Sequence, residues 1–231
     1  MNIKGFQGTS LLDFPGRIAA LVFTGGCNLT CPFCHNPGLV LDPGQYPDYP
    51  PEELFAELQK RSTFIDGVVI SGGEPTIDPD LIPFMKRVRD LGLQIKIDTN
   101  GLRPDVLTTA LEQNLLDFVA LDLKTLPARY PELHTGAVDC DALLKTIQML
   151  KQAPCELELR TTCVPGWVDA ETIKEIGKLV KGSPTWALQQ FQRQHALIED
   201  LEETVPYTPE NLEQFAEIAR HYVANVVVRG V

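Results

Sequence analysis

The stretch Val68-Val-Ile-Ser-Gly-Gly-Glu-Pro75 indicates the fold class, because it contains a buried strand and the turn that ends it. The apolar run is typical of a strand covered on both faces. Gly72 and Gly73 allow the backbone to turn tightly and to approach a ligand closely. Apolar residues then recur with helical spacing over 81–91. A strand, a tight turn and an amphipathic helix form the repeating unit of a parallel sheet.

The same unit recurs on both sides of this stretch. Strands are predicted at 18–23, 67–71, 93–99, 118–123, 157–164, 186–191 and 225–229. Helices are predicted at 51–60, 81–91, 104–113, 141–151, 170–180 and 209–223. Asp80 and Thr208 stand where helix N-caps are expected. Strands that alternate with helices predict a parallel α/β sheet.

The length of the chain limits how many units the sheet can contain. A complete (β/α)8 barrel usually takes about 250 residues, whereas these 231 residues supply six or seven units. We therefore predict an α/β fold, an incomplete, open (β/α)6-type TIM barrel with parallel strands. An open doubly wound sheet is the alternative. One domain is expected to span residues 1–231.

The composition excludes several classes of partner. The formal net charge of −11 disfavours nucleic acids and anionic membranes, which both attract basic proteins. The N-terminus lacks a basic region followed by an apolar one, and no apolar run approaches the ~18 residues of a membrane helix. A cytoplasmic location is the resulting prediction. Thiols stay reduced there, so clustered cysteines indicate a metal site or catalysis.

Three of the six cysteines lie in one loop, residues 24–50, which we call the cluster loop. It contains Thr24-Gly-Gly-Cys27-Asn-Leu-Thr-Cys31-Pro-Phe-Cys34-His-Asn-Pro37, with the spacing C-x3-C-x2-C. Three thiolates so close in sequence can ligate three irons of a [4Fe–4S] cubane. The fourth iron would keep an open position at which a substrate can bind.

Two alternatives to a cluster exist. One is a structural zinc ion on Cys27, Cys31, Cys34 and His35, although structural zinc usually takes two separated ligand pairs. The other is three unrelated buried cysteines, which are common in protein cores. The remaining cysteines lack cluster spacing and are predicted to be structural; they are Cys140, Cys155 and Cys163.

Polar residues stand at the carboxyl ends of four predicted strands, where barrel active sites lie. They are Glu74, Asp98 with Thr99, Asp122 with Lys124, and Arg160. Each has a structural alternative: a simple turn at Glu74, an Asx-turn within residues 98–100, an ion pair between Asp122 and Lys124, and a salt bridge from Arg160 to Glu158.

The C-x3-C-x2-C motif after the first strand of a βα-repeat chain resembles that of radical SAM enzymes, which cleave S-adenosylmethionine (SAM). Cys34-His-Asn-Pro37 and Leu12-Asp-Phe-Pro-Gly16 are similar to the corresponding segments of the activating enzymes of glycyl-radical enzymes. Among these, the chain most resembles the activating proteins of anaerobic ribonucleoside-triphosphate reductase.

The resemblance implies a function. A [4Fe–4S] cluster on Cys27, Cys31 and Cys34 would reduce SAM, and the resulting 5′-deoxyadenosyl radical would generate a glycyl radical on a partner enzyme. That partner would be an anaerobic ribonucleotide reductase, and a flavodoxin- or ferredoxin-type protein would donate electrons. The alternatives are a radical SAM enzyme that acts on a small molecule such as a deazapurine precursor, and a non-catalytic electron carrier or zinc-binding module.

The resemblance also implies roles for the strand-end residues. Gly72, Gly73 and Glu74 would meet the amino group of SAM. Asp98 and Thr99 would lie beside SAM, Arg160 would contact it, and Lys124 would line the barrel mouth. Asp98 and Asp122 would help to hold a monovalent cation at the SAM carboxylate.

Overall fold

The computed structural model contains one sheet of eight strands and describes residues 1–231, apart from the side chain of His195. The strands lie side by side in chain order. They are β1 (Ile3–Ser10), β2 (Ala19–Thr24), β3 (Gly67–Gly72), β4 (Gln94–Thr99), β5 (Phe118–Asp122), β6 (Glu156–Cys163), β7 (Thr185–Gln190) and β8 (Asn225–Arg229). β1 is antiparallel to β2, and β2 to β8 are parallel. β1 and β8 are the two edges, so the sheet is open.

Helices connect the parallel strands. They are α1 (Pro37–Leu41), α2 (Pro51–Arg61), α3 (Leu81–Asp90), α4 (Pro104–Glu112), α5 (Cys140–Leu150), α6 (Ala170–Val180) and α7 (Pro209–Ala219). One of α2 to α7 lies between each pair of successive parallel strands, which gives six units. The predicted open (β/α)6-type barrel is therefore confirmed, and the doubly wound alternative is wrong because the strand order never reverses.

The two predicted N-caps have different outcomes. Thr208 forms a capping box with Asn211 at the start of α7, as a threonine before a proline-led helix favours. Asp80 makes no side-chain capping bond to α3. Asp80 occupies the predicted N-cap position, but its carboxylate accepts a hydrogen bond of 2.8 Å from the amino group of Met1 instead.

Apolar side chains cover both faces of the sheet. The outer face packs against the helices in one large core. On the inner face, Phe14 is fully buried near the amino-terminal ends of the strands, and its ring meets Phe118 edge to face at 5.8 Å. Its neighbours in this inner cluster are Ala19, Leu21, Val69 and Ala120. The polar cavity described below therefore lies at the carboxyl ends of the strands.

The cluster loop is more ordered than its composition suggests, because it contains α1 and a 3-10 turn at Pro43–Gln45. None of the helices in the described part of the chain is both long and apolar enough to cross a bilayer.

Candidate active site

A cavity of ≈ 230 Å³ lies at the carboxyl ends of the parallel strands. Its walls contain every residue that the sequence analysis assigned to the site. These residues are Cys27, Cys31, Cys34, Gly72, Gly73, Glu74, Asp98, Thr99, Asp122, Lys124 and Arg160. The carboxyl-end rule for barrel sites explains why residues far apart in sequence meet here.

The tip of β3 fixes the start of the cluster loop. The Glu74 amide donates to the carbonyl oxygen of Gly26 at 2.8 Å. A Cβ atom on Gly73 would lie 1.9 Å from that oxygen, so only glycine permits this approach. Gly26 itself has a φ of +90°, which turns the chain toward Cys27. The Leu29 amide then donates to the Cys27 sulfur at 3.4 Å.

The chemistry of the three thiols fits an iron–sulfur cluster. All are free, and Cys31 is only 6% exposed. Burial raises the pKa of Cys27 to about 12 and that of Cys31 to about 11, while the Lys124 ammonium opposes both shifts. Cys27 and Cys31 are therefore protonated until a metal displaces their protons. Among the described residues, no three His, Cys, Asp or Glu side chains are grouped closely enough to hold a single metal ion.

Glu74 connects the tips of two neighbouring strands. Its side chain is 1% exposed, and burial raises its pKa. One carboxylate oxygen accepts hydrogen bonds from the amide and the hydroxyl of Thr76 and from the hydroxyl of Thr99, the last at 2.8 Å. The other accepts from the Asn100 amide at 2.7 Å. These bonds stabilise the turn after β3, as the structural alternative for Glu74 predicts. The Glu74 carboxylate also lines the cavity.

We predict that Glu74→Ala affects stability and ligand binding together. Loss of the acceptor leaves buried donors unpaired, which should lower the free energy of unfolding by about 1–3 kcal/mol. SAM binding should weaken about tenfold to a hundredfold if the carboxylate also meets the ligand. Urea denaturation and anaerobic calorimetry measure the two effects. The control is Glu53→Ala on the exposed face of α2. Reduced stability with unchanged SAM affinity would limit Glu74 to the turn.

Five charged side chains form a connected group that we call the charged layer: Lys96, Asp98, Asp122, Lys124 and Arg160. All of them except Lys96 line the cavity. Arg160 bridges the two aspartates, with Nη1 3.1 Å from Asp98 Oδ2 and Nε 2.6 Å from Asp122 Oδ1. Lys124 Nζ lies 2.9 Å from Asp122 Oδ2, and Lys96 Nζ contacts Asp98 Oδ1. The layer draws on β4, β5 and β6, together with the residues that follow β5.

Electrostatics keep this layer ionised. Burial is the largest single influence and opposes ionisation of Asp98 and Asp122, but the charge of Arg160 and that of a neighbouring lysine together hold both pKa values below their usual range. Lys96 and Lys124 reinforce this effect on Asp98 and Asp122 respectively. With Lys96, Lys124 and Arg160 paired to these two ionised carboxylates, the layer contains three basic and two acidic side chains.

Of the two ion-pair alternatives, one proves wrong and the other is correct. Arg160 does not pair with Glu158, because Glu158 accepts bidentate hydrogen bonds of 2.8 and 2.7 Å from Arg229 on β8. The ion pair between Asp122 and Lys124 is present.

The Asx-turn predicted within residues 98–100 is present, and Asn100 forms it. The Leu102 amide donates to Asn100 Oδ1 at 3.1 Å, while Asp98 remains in the charged layer. Asn100 also donates through Nδ2 to Asn28 Oδ1 at 2.7 Å, which connects the tip of β4 to the cluster loop.

Sequence reasoning missed three residues that position the site: Lys96, Asn100 and Ser71. Ser71 donates to Asp98 Oδ2 at 3.0 Å. Lys96 could have been found, because it precedes Asp98 by two residues and side chains two apart on a strand share a face.

A family comparison agrees with this geometry. Residues 21–180 match the model of the radical SAM superfamily. The chain belongs to the radical SAM superfamily. It is therefore an enzyme whose cofactors are a [4Fe–4S] cluster and SAM.

Individual relatives of this radical SAM enzyme differ in activity. A Methanocaldococcus jannaschii protein, provisionally named a glycyl-radical enzyme activating enzyme, is 35% identical over 99% of this chain and 96% of its own length. A pyruvate formate-lyase-activating enzyme of Clostridium pasteurianum is 29% identical over 78% of this chain and 76% of its own. A probable GTP 3′,8-cyclase of Pyrococcus horikoshii is 28% identical over 90% of this chain and 63% of its own.

Solved structures share the fold. Streptococcus suis SuiB bound to the precursor peptide SuiA superposes with a TM-score of 0.68 at 18% identity, over 91% of this chain and 48% of SuiB. A domain of the pyruvate-formate lyase-activating enzyme of Bacteroides vulgatus gives 0.57 at 19% identity, over 71% of this chain and 99% of that domain. At these identities the likeness concerns the fold alone.

Proposed function

We propose that this radical SAM enzyme generates a glycyl radical on a partner enzyme. The observation that carries the proposal is the cavity in which Cys27, Cys31 and Cys34 lie above the charged layer. A cluster and SAM bound there would supply a 5′-deoxyadenosyl radical able to remove a hydrogen atom. The protein residues bind, orient and shelter the two cofactors.

Each wall of the cavity has a distinct part in this proposal. The three thiols would hold three irons and leave one coordination position open for SAM. Gly72 and Gly73 let the backbone at the tip of β3 approach the methionine part of SAM. Lys124 and Arg160 would receive its carboxylate, because charge-assisted hydrogen bonds from guanidinium and ammonium groups are the strong ones.

Two observations support a polypeptide as the hydrogen donor. The match to the provisionally named activating enzyme covers nearly the full length of both chains. The segments Leu12-Asp-Phe-Pro-Gly16 and Cys34-His-Asn-Pro37 are similar to those of activating enzymes. An anaerobic ribonucleotide reductase is the proposed partner, a flavodoxin or ferredoxin the proposed electron donor, and the cytoplasm the proposed location.

A small molecule as the hydrogen donor is the second candidate, and the cyclase relatives favour it. Probable GTP 3′,8-cyclases from four organisms match this chain. However, this chain covers only 63% of the Pyrococcus horikoshii enzyme, so a large part of that cyclase has no counterpart in the match. A deazapurine precursor would be another small-molecule hydrogen donor of this kind.

Radical transfer tests the proposal directly. The reduced, cluster-loaded protein should convert SAM to 5′-deoxyadenosine and give a candidate anaerobic reductase an organic radical with glycyl hyperfine splitting in electron paramagnetic resonance. The Cys27→Ala variant and a reductase whose radical glycine is replaced by alanine are the controls. SAM cleavage that leaves every glycyl-radical enzyme unmodified, but consumes GTP or a purine-like compound stoichiometrically, would overturn the proposal in favour of the second candidate.

A further inference from the structure

The oxygens of Asp98 and Asp122, the pair implied to hold a monovalent cation, are already occupied by groups of the chain. Asp98 receives Lys96 on Oδ1 and both Ser71 and Arg160 on Oδ2. Asp122 receives Arg160 on Oδ1 and Lys124 on Oδ2. All four oxygens thus have donors, and four of the five donors are cationic side-chain contacts. A sodium or potassium ion would have to displace one of them.

Lys96 is the unusual member of this set. Its side chain is 2% exposed and lies below the cavity rather than in its wall. Burial lowers its pKa, and the charge of Asp98 opposes that effect. The Phe118 ring, whose centroid is 5.7 Å from Nζ, further confines the ammonium. A lysine is buried this deeply only when a partner compensates its charge.

We infer that the Lys96 ammonium takes the place of a monovalent cation beside Asp98, so that SAM binds to this protein without one. Lys96 is a positioning residue in this role, since it acts on the ligand through Asp98 and Arg160.

The charge of the layer explains why a cation is not needed. Three positive and two negative groups leave a net charge of +1, and the carboxylate of SAM would bring the site to neutrality. An additional cation would restore an uncompensated charge in a sheltered site, where electrostatic interactions are strong. Without Lys96 the layer alone would be neutral, and the SAM carboxylate would leave it one positive charge short.

This inference rests on the proposed SAM site, and a binding experiment tests it without a partner enzyme. Calorimetry of SAM with the anaerobic, cluster-loaded protein is compared in potassium, sodium and tetramethylammonium chloride at equal ionic strength. The native protein should show the same affinity in all three salts. Lys96→Met should bind SAM about tenfold more weakly in tetramethylammonium, as loss of one charge near the ligand implies. Potassium or sodium should restore most of that loss.

Two further variants separate this role from a structural one. Lys96→Met/Asp98→Asn removes both charges of the pair and should again bind SAM equally in the three salts. Lys174→Met, which removes an exposed lysine paired with Glu171 on α6, should behave like the native protein. A structural role for Lys96 alone would not create a requirement for potassium or sodium.

The inference is overturned if the native protein needs potassium or sodium for SAM binding, or if Lys96→Met weakens binding equally in all salts. The first measurement decides the matter even if Lys96→Met does not fold. A failure to activate any glycyl-radical enzyme would overturn the proposed function but would not change these affinities.

Discussion

Alanine at Cys27, Cys31 or Cys34 is expected to abolish the cluster and, with it, all SAM cleavage. A cubane that is held by three protein thiolates is expected to be lost when one of the three is removed. The native protein, purified anaerobically, should contain about four irons and four sulfides. Iron and sulfide analysis and the visible absorption of the purified variants measure the effect. 5′-Deoxyadenosine should fall to background in each variant.

The other three cysteines supply the controls. Alanine at Cys140, Cys155 or Cys163 should preserve iron content and SAM cleavage, because none of these residues lines the cavity. Cys163 is fully buried, so its variant should lose some stability while keeping the cluster. Stoichiometric zinc without iron in anaerobic preparations of the native protein would contradict the cluster assignment.

Arg160→Met should have the second largest effect, because it leaves two buried carboxylates without the group that bridges them. Removal of one partner from a buried ionic network costs about 3–5 kcal/mol of folding free energy. SAM affinity should fall as well, since one of the two groups proposed to receive its carboxylate would be lost. Urea denaturation measures the loss of folding free energy, and calorimetry measures the loss of SAM affinity.

The pH dependence has a defined sign. The pKa values of Asp98 and Asp122 are lowered in the folded protein, so their stabilising contribution is present above the unfolded value of about 3.9 and is lost as the pH falls toward the folded values. The stability gap between the native protein and Arg160→Met should therefore be widest near neutrality and shrink below about pH 4.

A matched arginine on the surface controls for loss of a guanidinium in general. Arg103 pairs with Asp105 through half-exposed side chains, and Arg103→Met should cost at most about 1 kcal/mol. Equal losses of stability in the two arginine variants would contradict the role that we assign to the charged layer.

The repeating units could be predicted well from the sequence because their signals are local. The helix predicted at 170–180 has the same bounds as α6, and the strand predicted at 225–229 matches β8. The helix predicted at 209–223 is too long, since α7 ends at Ala219 and the chain then leads through a turn toward β8. Apolar periodicity identifies a helix reliably, but it does not locate the residue at which the helix ends.

The first strand could not be predicted in the same way. β1 contains Gly5 and Gly8, and most of its residues are only partly buried, so its apolar alternation is weak. It exists because its backbone pairs with β2, and such pairing depends on tertiary context rather than on local propensity.

The sequence predicts which residues reach the site, but it does not predict which of their side chains form ion pairs with each other. Strand ends and alternation are enough to place Asp98, Asp122 and Arg160 at one rim. The choice of Asp98 and Asp122 rather than Glu158 as partners of Arg160 depends on β8, which brings Arg229 to Glu158. No pattern within β6 alone contains that information.

The charge of Lys124 acts both on the cluster thiols and on the carboxylate of Asp122. It favours negative charge on Cys27 and Cys31, and it is paired with Asp122. A cation that favours negative charge at the thiolates also raises the reduction potential of a cluster bound to them. The carboxylate of SAM, once shared with Lys124, would partly neutralise that cation. Lys124 would therefore couple the charge around the cluster thiolates to the presence of a carboxylate in the cavity.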